Sequence, residues 1–304
     1  MAGTKEKAMD AVLRPEAREA LKRLEIFARR TVDGLLHGAH ISRRKGVSTE
    51  FDHHKLYQPG DPLKHVDWKA SARHERIFVK RYIEDTSLTV RLVADRSGSL
   101  GQSTDGVAVF DQCARLTAAL AYLVLRQRDS VGLQLAGEAG GSWIPASSTQ
   151  SQLVRILEAL VAARPAGEDA LTAALRALAD RPSHKGMVVA ISDLMFEPEP
   201  ARRQMSRLQA AGHEVLLIHL RDATAERFPF NRWMLFESLE SADRRYRVDA
   251  VALKRLYAEE YRAWIDEWEG WARRRDVHLV AAPSHEPAEA ILSAYLAHRA
   301  KEDA

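Results

Sequence analysis

Apolar residues recur at three- and four-residue steps through Ala17, Leu21, Leu24, Phe27, Ala28, Val32, Leu35 and Leu36. That spacing predicts one amphipathic helix over residues 15–37, stopped by Gly38. Its other face is basic (Arg18, Lys22, Arg23, Arg29, Arg30), and the basic loop Arg43-Arg44-Lys45 follows. Residues 47–86 change character. Glu50-Phe51 opens a strand, Gln58-Pro59-Gly60-Asp61-Pro62 is turn chemistry, and Asp61 before Pro62 reads as the cap of a short helix through Val66, Trp68 and Ala72. A strand over Ile77–Tyr82 completes this part.

From residue 88 the pattern alternates regularly. Strands are expected at 88–94, 131–135, 187–191 and 214–220. Helices are expected at 107–127, 149–163, 170–179 and 198–211. Such alternation predicts an α/β fold with a mainly parallel sheet flanked by helices. A hairpin, 233–238 with 245–248, comes next. Asp249 then caps a helix over 250–275, before a last strand (277–281) and a last helix (287–299). The chain thus divides into an N-terminal helix and basic loop (1–45), a second segment (46–86), an α/β domain (87–222) and a hairpin and helical extension (223–304).

Composition narrows the function classes. The 304 residues carry a net charge of +3, too small to argue for nucleic acid as the partner. The charge is uneven: residues 1–86 hold 18 basic and 13 acidic residues, while the remainder is net −2. A single cysteine, Cys113, excludes a disulfide framework or a cysteine-based zinc site within one chain. The N-terminus lacks the apolar core of a signal peptide, and the longest near-apolar run, Leu116–Leu125, is half of a membrane span. A cytoplasmic, soluble protein with no membrane span is expected.

The chemistry lies at strand ends. Asp95-Arg96-Ser97-Gly98-Ser99 places one carboxylate and two hydroxyls on a tight loop after the first strand of the alternation. These are hard oxygen donors, suited to Mg²⁺ or Mn²⁺. Asp193 ends a later strand, and Asp169 precedes the 170–179 helix, with Thr172 one turn into it. Parallel sheets bind ligands at this carboxyl edge.

The element order and Asp95-x-Ser97-x-Ser99 resemble a von Willebrand factor A domain with a metal-ion-dependent adhesion site. A longer motif is similar to the hallmark of the bacterial domain-of-unknown-function 58 family, which sits just upstream of such a domain. It runs Glu50-Phe51-x-x-x-Lys55-x-Tyr57-x-x-Gly60-Asp61-x-x-Lys64-x-Val66-Asp67-Trp68-x-x-Ser71-Ala72-Arg73. The family carries Arg where Lys55 and Lys64 stand. The resemblance implies a metal held by Asp95, Ser97, Ser99 and Asp193, with Asp169 at the position of the usual Thr. The sixth coordination position is left to a partner's carboxylate. It also implies a non-enzymatic adaptor acting with a MoxR-type AAA+ ATPase in a chaperone-like role, since members are commonly encoded beside such ATPases.

Two other readings stand beside it. One is a metal-dependent hydrolase on the same carboxylates, for which no His is expected at the sheet edge. The other is a nucleic-acid-binding module built on the basic N-terminus. The histidines at 37, 40, 53, 54, 65 and 74 show no zinc spacing and read as surface residues. Asp61, Asp67, Arg73 and Tyr57 read as a cap, a helix-end ion pair and a packed aromatic, with Trp68 as the anchor of that segment. Trp264, Trp268 and Trp271 read as a helix stripe packed on the domain, and Cys113 as an inert buried thiol.

Overall fold

In the computed structural model, residues 15–38, 51–58, 66–74, 76–82, 88–104, 107–137, 141–168, 170–239, 244–284 and 286–302 are described below. They fall into two compact units. Residues 41–88 form one; residues 1–40 and 89–304 form the other. The N-terminal helix and the 223–304 extension are therefore parts of the same unit as the sheet.

The small unit pairs β1 (Phe51–Leu56) with β2 (Phe78–Tyr82) in antiparallel fashion, across the short helix α2 (Trp68–His74). The helix begins later than the turn chemistry predicts. Asp67 is its cap: Oδ1 accepts from the Lys69 and Ala70 amides at 3.1 and 3.0 Å. Asp67 is thus the cap of this helix, and Asp61, Gly60 and Glu50 lie outside the described residues. Ser71 ties helix to strand, donating to the Asp67 carbonyl (2.7 Å) and accepting from the Phe78 amide (2.9 Å). Val66 and Val79 are buried and bridge each other. Trp68 is not the anchor expected of it. It stands 67% exposed in the first turn of a seven-residue helix, Arg73 is exposed, and Tyr57 is half-buried.

The large unit is built on a six-stranded sheet. In chain order its strands are β3 (Thr89–Ala94), β6 (Ser130–Leu135), β7 (Ser142–Ser147), β8 (Met187–Ser192), β9 (Glu214–Arg221) and β12 (His278–Pro283). They lie side by side as β7-β6-β3-β8-β9-β12, all parallel except β7. Counting the six along the chain, this is the doubly wound order 3-2-1-4-5-6, whose switch point falls between β3 and β8. The central strands are buried and mostly apolar, with Arg91, Gln134 and His219 as buried exceptions, because helices cover both faces. α3 (Val109–Arg126), entered through the small hairpin β4 (Ser103–Thr104) and β5 (Val107–Ala108), packs on β3 and β6 and against α1 (Pro15–Gly38). α4 (Ser151–Ala162), α5 (Ala170–Ala179) and α6 (Pro198–Ala210) complete the inner layers.

β7 was not expected, and its construction explains why. Pro145 sits in it, as only an edge strand tolerates. Opposite it the register shifts between Val131 and Leu133. At Gly132 a Cβ would stand 2.9 Å from Ala146 N and Ile144 O, so only glycine fits this close approach. The carbonyls of Val131 and Pro145 are met by the buried Gln152 amide, at 2.7 and 2.8 Å.

After β9, the short helix α7 (Ala223–Arg227) leads to a separate ribbon, β10 (Trp233–Glu237) with β11 (Arg245–Asp249). Asp249 caps α8 (Ala250–Arg274) as expected, and α9 (Ala288–Glu302) follows β12. The tryptophan stripe of α8 is core. Trp268 is fully buried, Trp271 is nearly so, and the Arg202 guanidinium lies 4.6 Å from the Trp268 ring centre. Among the described residues, no helix is long and apolar enough to cross a membrane.

Candidate functional site at the carboxyl edge

β3 delivers Asp95 to the switch point, where its amide donates to the Ile191 carbonyl (3.0 Å) as though the strand continued. The side chain then turns inward and is fully buried. Oδ1 accepts from the Ser97 amide at 2.9 Å, a turn closed by the residue's own carboxylate. Oδ2 accepts from the Ser192 hydroxyl at 2.5 Å, which links the ends of β3 and β8. The Ser97 hydroxyl also bonds the carboxylate and lies 3.1 Å from the Ser99 hydroxyl. Asp95, Ser97 and Ser99 therefore lie together on one loop.

Asp193 follows Ser192 directly and is nearly buried, with Oδ1 accepting from the Met195 amide at 3.2 Å. Ser192 is itself fixed as the acceptor of the Leu194 amide (2.9 Å), and Leu194 takes a left-handed backbone (φ 58°) that turns the loop. Thr172 is buried in the first turn of α5, whereas Asp169 lies outside the described residues.

One side chain frames the loops. Arg96 points away from the carboxylate and donates from Nε to the Ala136 carbonyl (2.6 Å) and from Nη1 to the Arg164 carbonyl (3.0 Å). The main chain adds Ala136 N to Ala94 O, Ala166 N to Arg96 O and Gly98 N to Gly167 O, each at 2.9 Å. Gly137 leaves the space the guanidinium occupies, since a Cβ there would meet Nη2 at 2.4 Å.

Burial pushes the Asp95 carboxyl above the usual carboxylate range, against the opposing pull of its bonds to Ser192 and Ser97. Its partners are hydroxyls and amides, and among the described residues no cationic side chain pairs with it. Cys113 lies under the loop, fully buried, with Sγ 3.6 Å from the Asp95 carbonyl. Burial and the neighbouring carboxylate push the thiol far up, so it is inert, as expected.

The oxygens of Asp95, Ser97 and Ser99 suit a hard divalent cation, which would supply the countercharge this buried carboxylate lacks. Among the described residues, no three His, Cys, Asp or Glu side chains group as a metal cage, so hydroxyls would have to provide much of the coordination.

A family model described as "Protein of unknown function DUF58" matches residues 53–265. The chain belongs to this family. An uncharacterized protein of Mycobacterium tuberculosis is 32% identical to this DUF58 chain over 211 residues, 68% of this chain and 66% of that one. The chain thus spans just under two thirds of that relative's length. Bacillus subtilis YeaD, also uncharacterized, is 30% identical over 82 residues, 27% of this chain and 19% of its own. Among solved structures, BatB from Bacteroides thetaiotaomicron aligns at TM-score 0.44 with 14% identity, covering 70% of this chain and 99% of its own. The SpRpn10 VWA domain aligns at 0.40 with 10% identity, covering 68% and 94%. The strand order and helical layers of this DUF58 member are those of a doubly wound, mainly parallel α/β sheet.

His219 was missed. It pairs across the sheet with Ser192, is fully buried, and its ring bonds the Asp193 main chain. Burial, with Arg221 alongside, holds its pKa down at about 3. Trp264 of α8 packs edge-on against it at 5.1 Å. A histidine does therefore stand beside the candidate site. The available signal was a single imidazole inside the apolar run Leu216-Leu217-Ile218-His219-Leu220.

Proposed function

We propose that this DUF58 protein is a non-enzymatic interaction adaptor of the cytoplasm. In this reading its carboxyl-edge loops hold Mg²⁺ or Mn²⁺ and present it to a carboxylate of a protein partner. Asp95, Ser97 and Ser99 would hold the ion, with Asp193 and Asp169 beside them. Bound there, the cation supplies positive charge and a coordination position for the partner's oxygen. The observation that supports this is the fully buried Asp95 carboxylate, surrounded by hydroxyls and amides at the sheet's switch point. The partner class, a MoxR-type AAA+ ATPase, comes from the family resemblance.

Calorimetric titration of the purified protein with MgCl₂ and MnCl₂ tests the ion. Pull-down of a co-expressed MoxR-type ATPase, with and without EDTA, tests the partner. Asp95→Asn is expected to abolish the heat and the EDTA-sensitive association. Equal binding by Asp95→Asn, or no association of the purified pair, sinks the reading.

His219 favours one alternative, a metal-dependent hydrolase. It is a neutral imidazole beside the candidate site, but it is enclosed between Trp264 and Arg221. Phosphatase or nuclease turnover with Mn²⁺, lost in Asp95→Asn, would replace the adaptor reading.

A further inference from the structure

The β10–β11 ribbon breaks the rule that a sheet packed on one side is polar on the other. Paired residues share a face. Met234 with Val248, and Phe236 with Tyr246, form the inner face. Phe236 packs on Phe228 and Phe230 at 6.0 and 5.3 Å, and Phe228 stacks on Tyr257 of α8 at 4.5 Å. This aromatic cluster seats the ribbon.

The outer face pairs Trp233 with Asp249, Leu235 with Arg247 and Glu237 with Arg245. Trp233 and Leu235 nevertheless stand 60% and 56% exposed. Six of the eleven exposed large apolar side chains among the described residues fall between positions 233 and 256: Trp233 and Leu235 on the outer face, Tyr246 on the other face, and Leu239, Val251 and Leu256 in the flanking loop and helix. Large apolar groups clustered in water mark an interaction surface.

Charge says what covers it. Residues 231–256 contain six basic and four acidic residues. The acids of the outer face are engaged. Glu237 pairs with Arg245 at 3.3 Å, and Asp249 caps α8 through the Val251 and Ala252 amides. Arg247 lies 5.7 Å from the Trp233 ring centre, and Arg232, Arg244 and Lys254 are exposed. The face therefore offers an aromatic and a leucine beside the Arg247 guanidinium, the cation of that face which no acid holds among the described residues.

We propose that the outer face of this ribbon docks a segment of a partner protein in which carboxylates alternate with apolar side chains. Single-stranded nucleic acid fits less well. Stacking along a strand needs successive aromatic platforms, and among the described residues Trp233 is the single aromatic side chain of this face. This surface is independent of the metal reading.

The test uses the full chain in EDTA against immobilised short peptides graded in charge and apolar content. The bound set should be enriched in peptides mixing Glu or Asp with Leu, Phe or Ile. The double variant Trp233→Ser/Leu235→Ser should weaken the best of them about tenfold or more. Arg247→Glu should shift the preference away from acidic peptides. Circular dichroism and an unchanged melting temperature establish that each variant is folded. Four results overturn the proposal: a bound set with no acidic enrichment, an unchanged set for the folded double variant, stronger binding of poly-U than of any peptide, or self-association abolished by the double variant.

Discussion

The Ser192 hydroxyl donates a 2.5 Å hydrogen bond to Asp95 Oδ2, joining the ends of the two strands that flank the switch point of the sheet. Both side chains are fully buried, and Ser192 Oγ also accepts from the Leu194 amide. Ser192→Ala therefore leaves one carboxylate oxygen and one amide short of a partner. The expected cost is about 1–3 kcal/mol, read as a lowered urea midpoint. An unchanged midpoint would show that the bond contributes nothing.

His219 predicts a pH dependence of stability. Its pKa is about 3 in the folded state against an ordinary 6.5, so the unfolded chain binds the extra proton between those values. The stability of the neutral, buried imidazole is fully present above pH 6.5 and is lost as pH falls toward 3. His219→Leu should remove about 1.4 kcal/mol per pH unit of slope within that window. Denaturation curves of parent and variant in EDTA, taken at several pH values, measure the difference. Parallel profiles would contradict the assignment.

Trp268 is fully buried between Arg202, Phe196 and Trp271 and belongs to the core cluster that includes Val188, Leu217 and Met205. Trp268→Ala should cost about 3–5 kcal/mol by chemical denaturation. Trp264→Ala, at the half-buried margin of the same stripe, should cost less.

Asp249 accepts from the first amides of a 25-residue helix at 3.1 and 3.4 Å. Asp249→Ala should cost about 1 kcal/mol. The loss should be local, with faster amide exchange at Val251 and Ala252 and little change in β3 or β8.

The alternation after residue 88 made most of the large unit legible. Buried parallel strands are continuous apolar runs, and the helices between them keep a clean three-to-four period. Asp95, Ser97 and Ser99 are weak as a motif, because loops are rich in these residues, and it is their position after the first strand of the alternation that singles them out. What escaped the sequence has local causes. The Ser142–Ser147 strand contains a proline and depends on a glycine and a glutamine from other elements. The five-residue helix after Asp222 is shorter than any periodicity window. Trp68 misled because bulk was taken for burial, whereas Val66 and Val79 are the buried side chains of that unit among the described residues. His219 is visible only once the sheet places it beside Ser192.

The Arg96 latch has a consequence for how this protein varies. Its acceptors, at Ala136 and Arg164, are main-chain oxygens. Any residue supplies a carbonyl, so the latch itself asks nothing of the side chains at 136 and 164, and the burial of Ala136 is a separate demand of the core. The hereditary constraint falls on the single guanidinium and on the absent side chain at Gly137 that gives it room. Across many relatives, position 96 should hold steady with no compensating partner at either acceptor.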